Sequence, residues 1–184
     1  MQDNPWKSLA SRTVYENNWI KVDHEDVINP NGNEGIYGVV HFKNLAIGVI
    51  PLDDEMNTWI VGQYRYPLKR YSWEIPEGGG PHDRDPLESA KRELLEECGI
   101  VAERWERFLE IDLSNSATDE QSIVFLARGL SHTASEPEDT EQLHVRKVPF
   151  ATLYDMVMQA EVTDAISVAA VLKLKVMMDS GMMK

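Results

Sequence analysis

Val, Ile, Tyr and Trp recur among polar residues over 13–28 and again over 36–43, segments that read as extended strands. The Pro30-Asn31-Gly32 turn between them predicts a hairpin. A second pair of strands is expected at 46–52 and 58–66, around the polar tip Asp53-Asp54-Glu55-Met56-Asn57. The pattern then changes. Leu87, Ala90, Leu94 and Cys98 recur at i, i+3, i+7 and i+11, the apolar stripe of a helix. Asp85 is a good N-cap for it, Pro86 suits the first helical position, Glu88 completes a capping-box pattern, and Gly99 supplies a left-handed stop. Strands are expected again at 106–113, 122–127 and 145–148, and helices at 150–159 and 164–178, the last capped by Thr163 or Asp164 and stopped by Gly181. Strands, a helix, more strands and then helices imply an α/β fold, a sandwich around a mixed sheet. The polar stretch 131–141 is its one long loop, a length that marks function or mobility.

Composition narrows the picture. With 184 residues and 42% hydrophobic content the chain can bury one sizeable core. A net charge of −13 and the lack of a basic stripe argue against nucleic acid as a partner. Most of the 31 Asp and Glu read as solvated surface. The N-terminal stretch has no basic start followed by an apolar segment, and no apolar run reaches membrane-spanning length, so no membrane partner and a cytoplasmic location are expected. The single cysteine, Cys98, lies on the apolar stripe, where packing outweighs nucleophilic chemistry. The five histidines have no zinc-ligand spacing. Trp19, Tyr37, Tyr64 and Trp73 could stack a nucleobase, although strand aromatics usually pack. Methionines 177, 178, 182 and 183 are expected to cover core or a dimer contact.

The densest chemistry is on the predicted helix. Glu93 and Glu97 are i,i+4 neighbours and Glu96 stands i+3 from Glu93, so three carboxylates share one side. Like charges so placed repel unless a cation arrives, and hard oxygen ligands suit Mg2+ or Mn2+ better than zinc. Gly78-Gly79-Gly80, just upstream, allows close approach of the backbone, or is simply a flexible turn.

Gly78, Arg92, Glu93, Leu94, Glu96, Glu97, Gly99 and Ile100 fall in register with G-x5-E-x7-R-E-U-x-E-E-x-G-U, where U is bulky and aliphatic. This resembles the signature of the Nudix hydrolase family. Gln63-Tyr64-Arg65-Tyr66-Pro67, Trp73-Glu74-Ile75-Pro76-Glu77-Gly78 and Glu161-Val162-Thr163-Asp164 are similar to segments of its ADP-ribose and nucleoside-diphosphate-sugar pyrophosphatase branch, so the likeness covers nearly the whole chain. Two positions depart. Arg84 stands where the signature has its first glutamate, the usual partner of the arginine aligned with Arg92, which leaves Glu88 or Asp83 to take that role. Ser114-Asn115-Ser116 replaces the Ser-Pro-Gly usual in ADP-ribose enzymes.

The resemblance implies a Nudix-type α/β/α sandwich in residues 46–184, and in residues 1–45 an N-terminal hairpin extension that mediates a homodimer. It implies Glu93, Glu97 and Glu96 as metal ligands with the backbone carbonyl of Glu77, and Glu74 as an auxiliary acid. Arg65 would contact phosphate, with Lys69 and Arg70 as weaker candidates, and Glu120 would lie near the metal. Gly78 belongs to the substrate site, and Arg92 and Glu96 to the catalytic group. A glutamate of the long loop would orient or deprotonate the attacking water: Glu141 first, then Asp139 and Glu138. The expected activity is Mg2+-dependent cleavage of a nucleoside diphosphate sugar, GDP-mannose-like or ADP-ribose, to nucleoside monophosphate and sugar phosphate. The alternative is a non-catalytic nucleotide-sugar binding module on the same fold. A calcium-loop protein is disfavoured because no twelve-residue D-x-[DN]-x-[DN]-G loop exists.

Overall fold

The computed structural model describes residues 3–133 and 143–183. Its elements run β1 (Lys7–Glu16), β2 (Ile20–Ile28), β3 (Glu34–Phe42), β4 (Asn44–Pro51), β5 (Asn57–Arg65), β6 (Arg70–Glu74), β7 (Glu77–Pro81), α1 (Pro86–Cys98), β8 (Ile100–Asp112), β9 (Gln121–His132), β10 (His144–Pro149), α2 (Phe150–Met158) and α3 (Ala165–Asp179).

The extended run at 13–28 is two strands rather than one. The side chain of Asn17 accepts from the backbone N–H of Trp19 and Ile20, both at 2.8 Å, an Asx turn that reverses the chain. The N-terminal extension is therefore a three-stranded antiparallel sheet, β1-β2-β3, containing the expected β2–β3 hairpin around Gly32 at φ 85°. It docks on the β8–β9 connection: Tyr37 Oη donates to the carbonyl of Ser116 at 2.6 Å, Val40 N–H donates to that of Ala117 at 2.9 Å, and His41 lies 2.6 Å from Asp119.

The remaining strands form a mixed sheet, β7-β4-β9-β8, in which β4 and β9 are parallel, and a smaller antiparallel sheet, β10-β5-β6. β4 reads as a nearly unbroken apolar run because both of its faces are covered. Leu45, Ile47 and Val49 join Ala90 and Leu94 of α1 in one core cluster. Ile50 and Leu52 join Leu153 of α2 and Ile166, Ala170 and Leu174 of α3 in another. On β9, Ile123 and Phe125 face the first cluster while Val124 and Leu126 face the second. This is the α/β/α sandwich that the element order implies. Met177, Met178 and Met183 pack on the second cluster, as expected of them, while Met182 is exposed. Among the described residues no helix is long and apolar enough to cross a membrane.

The ends of α1 follow from its sequence. Asp85 accepts from Leu87 N–H at 3.0 Å, and Gly99 takes φ 63°. The capping box is only half formed, because the Glu88 carboxylate instead accepts from Lys91 Nζ at 2.7 Å. At α3, Asp164 rather than Thr163 is the cap.

Candidate active site

Two carboxylates of α1 converge on the start of β7. Glu97 Oε2 accepts from the backbone N–H of Glu77 at 3.0 Å. The Glu93 carboxyl lies against Gly78 so closely that a Cβ there would sit 2.0 Å from its carbon and 2.1 and 2.3 Å from its oxygens. Glu93 and Glu97 are only 8% and 4% exposed. Gly78-Gly79-Gly80 is thus neither loop nor hinge: it pairs with β4, and its lack of side chains admits Glu93 at Gly78 and Ile47 with Ser89 at Gly80.

Arg92 binds this group together. It contacts Glu93 Oε1 and Glu96 Oε2, each at 2.5 Å, and donates to the Gly79 carbonyl at 2.9 Å. Neither of the carboxylates expected to replace the missing partner does so, since Glu88 pairs with Lys91 and no contact joins Asp83 to Arg92. Arg84 is exposed. Glu96 turns its carboxylate to Arg92. Among the described residues no three His, Cys, Asp or Glu side chains already meet in metal-holding geometry. The donor set that does converge, two buried carboxylates over the Glu77–Gly78 backbone, consists of hard oxygens and fits a divalent cation.

Next to it opens a cavity of about 570 Å³ lined by Arg65, Glu74, Glu77, Gly78, Glu120 and Asp164, with Trp19 and Phe42 of the N-terminal sheet on its rim. Arg65, Glu74, Glu77, Gly78 and Glu120, each singled out from sequence for the site, are therefore brought together here. Arg65, at the end of β5, is clamped by Glu74 of β6: Arg65 Nε donates to both carboxylate oxygens at 3.0 Å, and Nη2 also contacts Oε2. Glu74 is 3% exposed, so this fork neutralises a buried charge while holding the guanidinium plane in place. Burial raises the Glu77 carboxyl well above its usual range, and the neighbouring Asp164 and Glu74 carboxylates raise it further, Arg65 opposing them. Burial and Asp164 likewise raise Glu120.

Lys69 and Arg70 do not line this cavity, and Arg70 donates to Thr163 Oγ1 at 2.9 Å. Glu141, Asp139 and Glu138 lie outside the described residues. Of the aromatic candidates, Trp19 is 68% exposed at the cavity rim, Tyr37 packs edge-on against Trp6, Trp73 lies under Arg146, and Tyr64 is exposed away from the cavity. Burial pushes the Cys98 thiol far up, consistent with a packing role. Sequence reasoning did not single out Asp164 or Ser167 for the site. Asp164 was visible as a helix cap, and only the fold brings it beside Glu77 in the lining of the cavity.

The Nudix domain family matches residues 42–168, and the nucleoside diphosphate sugar hydrolase N-terminal domain family matches residues 6–40. An ADP-ribose pyrophosphatase of Mycobacterium tuberculosis is 29% identical over 180 residues, covering 94% of this chain and 84% of its own. An ADP-ribose pyrophosphatase of Bacillus subtilis is 32% identical over 161 residues, 86% of each chain. A solved structure described as an ADP compounds hydrolase superposes with a TM-score of 0.86 over 98% of both chains at 19% identity, a likeness of fold. The chain belongs to the Nudix family, in its ADP-ribose and nucleoside-diphosphate-sugar branch, and is a Nudix pyrophosphohydrolase.

Proposed function

We propose that this enzyme hydrolyses the pyrophosphate of ADP-ribose and of related nucleoside diphosphate sugars, GDP-mannose-like substrates included, with Mg2+ or Mn2+ as cofactor. The observation that carries this reading is the convergence of buried Glu93 and Glu97 on the Glu77–Gly78 backbone, beside a cavity that holds an oriented arginine. The names of the two bacterial relatives favour ADP-ribose; the departure at Ser114-Asn115-Ser116 keeps other sugars open.

Glu93, Glu97 and the Glu77 carbonyl would hold the cation, with Glu96 joining them once it leaves Arg92. A bound divalent ion supplies charge neutralisation at the phosphate oxygens. The chain's own residues do the rest. Arg65, steadied by Glu74, takes a phosphate. Trp19 and Phe42 flank the base at the rim. An acid of the long loop, Glu141 or else Asp139, takes the proton of the attacking water as its oxygen bonds to phosphorus and the bridging P–O bond breaks. The products are a nucleoside monophosphate and a sugar phosphate. Glu120 and Asp164 add negative charge beside the site, which favours cation binding.

A homodimer fits the N-terminal sheet, here assigned to residues 1–45 with the hydrolase domain at 46–184. β1 is exposed along its whole length, and Leu9, Val14, Tyr15 and Ile36 are exposed apolar residues suited to a second copy. A cytoplasmic location remains the expectation from sequence. The binding-module alternative rested on Arg84, and Arg92 is fully engaged without a glutamate there. Chromatographic product analysis with ADP-ribose and a panel of sugar nucleotides, with Mg2+ and with chelator, tests the reading: metal-dependent monophosphate release supports it, and binding without turnover replaces it with the binding module.

A further inference from the structure

The short connection from β6 to β7, Ile75-Pro76, separates the two halves of the site. Glu74 before it holds Arg65, while Glu77 and Gly78 after it receive Glu97 and Glu93. Three anchors hold this connection. Val49 N–H donates to the Pro76 carbonyl at 2.9 Å, and Glu77 N–H donates to Glu97. The third comes from α3, about ninety residues further along the chain. Ser167, 0% exposed, accepts from Ile75 N–H at 2.9 Å and donates to Glu77 Oε1 at 3.1 Å. Its own backbone N–H donates to the capping Asp164 at 2.7 Å, which fixes the first turn of α3 in the same place.

We infer that Ser167 is a positioning residue for hydrolysis: one buried hydroxyl locks the Ile75–Glu77 backbone and the Glu77 carboxyl to α3, and so sets where the Glu77 carbonyl stands relative to Glu93 and Glu97. Both of the hydroxyl's hydrogen-bonding functions are used, one on each side of Pro76. Packing alone does not account for this, because alanine would fill the apolar part of the niche and leave Ile75 N–H and Glu77 Oε1 without this partner. Residues that hold a ligating group in register typically change metal affinity or rate by about 10–100-fold when removed. Ser167 is not itself among the residues that line the substrate cavity and reaches it only through Glu77 and Asp164. Its effect therefore belongs on metal affinity and kcat rather than on KM.

The inference rests on the hydrolase reading, and the test separates the two. Mn2+ affinity is measured by electron paramagnetic resonance, kcat and KM with ADP-ribose, and thermal stability independently, for the wild type, Ser167→Ala and Ser167→Thr. The expected result is an approximately 10–100-fold loss of Mn2+ affinity and of kcat in Ser167→Ala, with KM within about twofold, and recovery of both in Ser167→Thr, which keeps the hydroxyl. If Ser167→Ala unfolds, Ser167→Cys, a weaker donor and acceptor, is held to the same criteria. A lowered melting temperature with unchanged Mn2+ affinity and kcat overturns the positioning role, as does a threonine variant impaired as badly as alanine. A wild type that neither binds Mn2+ nor turns over removes the hydrolase reading and this inference with it.

Discussion

Gly78→Ala is the smallest change that tests the geometry of the acid pair. Gly78 does not adopt a positive φ, so alanine meets no backbone penalty there. The cost falls on Glu93. A new Cβ would lie 2.0 Å from the Glu93 carboxyl carbon, which must retreat by about 1.4 Å to reach the 3.4 Å of ordinary contact. Glu93 is buried and held by Arg92 at 2.5 Å, so the retreat also disturbs that contact. A misplacement of about 1 Å in a reacting constellation costs on the order of 100-fold, roughly 3 kcal/mol of transition-state stabilisation. The assay is kcat/KM for ADP-ribose at saturating Mg2+, with far-ultraviolet circular dichroism to establish that the fold is kept. A value within about threefold of wild type would refute the claim that Glu93 acts from its seat on Gly78.

Three further outcomes follow from the same geometry. Arg65→Ala strips the partner from Glu74, and because Arg65 is itself partly exposed the loss should be about 2 kcal/mol, a melting-temperature drop of roughly 4–8 °C, together with a raised KM; unchanged melting and KM would count against the fork. Burial raises the Asp53 carboxyl, but Lys147 at 2.8 Å and the Asn57 N–H groups outweigh it and bring it down to about 2. A depressed carboxylate stabilises the fold above its unfolded value and loses that contribution as pH falls, so the stability difference between wild type and Asp53→Asn should shrink by about 1 kcal/mol between roughly pH 4 and pH 2, and a flat difference in urea unfolding would contradict it. Arg84→Glu should leave kcat/KM within about twofold, as for an ordinary surface change, because Arg92 keeps Glu93 and the Gly79 carbonyl as acceptors even when Glu96 leaves it; a large gain would mean that Arg92 is poorly held.

Much of this was legible because local chemistry and tertiary structure agree in the same residues. Asp85, Pro86 and Gly99 mark α1 with side-chain and φ requirements that do not depend on distant partners. The helical period alone puts Glu93 and Glu97 on one side. What sequence could not display is pairing. Asn17 turns the chain inside what reads as a single extended strand, because an Asx turn needs only one side chain. β7 is a glutamate, three glycines and a proline, a composition that argues against a strand, and it exists because β4 supplies its hydrogen bonds and Glu93, Ile47 and Ser89 need the space. β8 begins directly at Ile100, six residues before the predicted start, because β9 pairs with it along that whole length. Asp164 and Ser167 enter the site only through contact with a turn about ninety residues away.

The central claim is that Glu93 and Glu97 on the Glu77–Gly78 backbone form the cation site of a pyrophosphohydrolase. Its most direct test is product analysis of ADP-ribose turnover by wild type and Glu97→Gln, each with Mg2+ and with chelator. The account predicts AMP and ribose phosphate from the wild type with Mg2+ only, and a loss of about 1000-fold in Glu97→Gln, roughly 4 kcal/mol. Turnover that survives the chelator, or a Glu97→Gln variant within about tenfold of wild type, would contradict it.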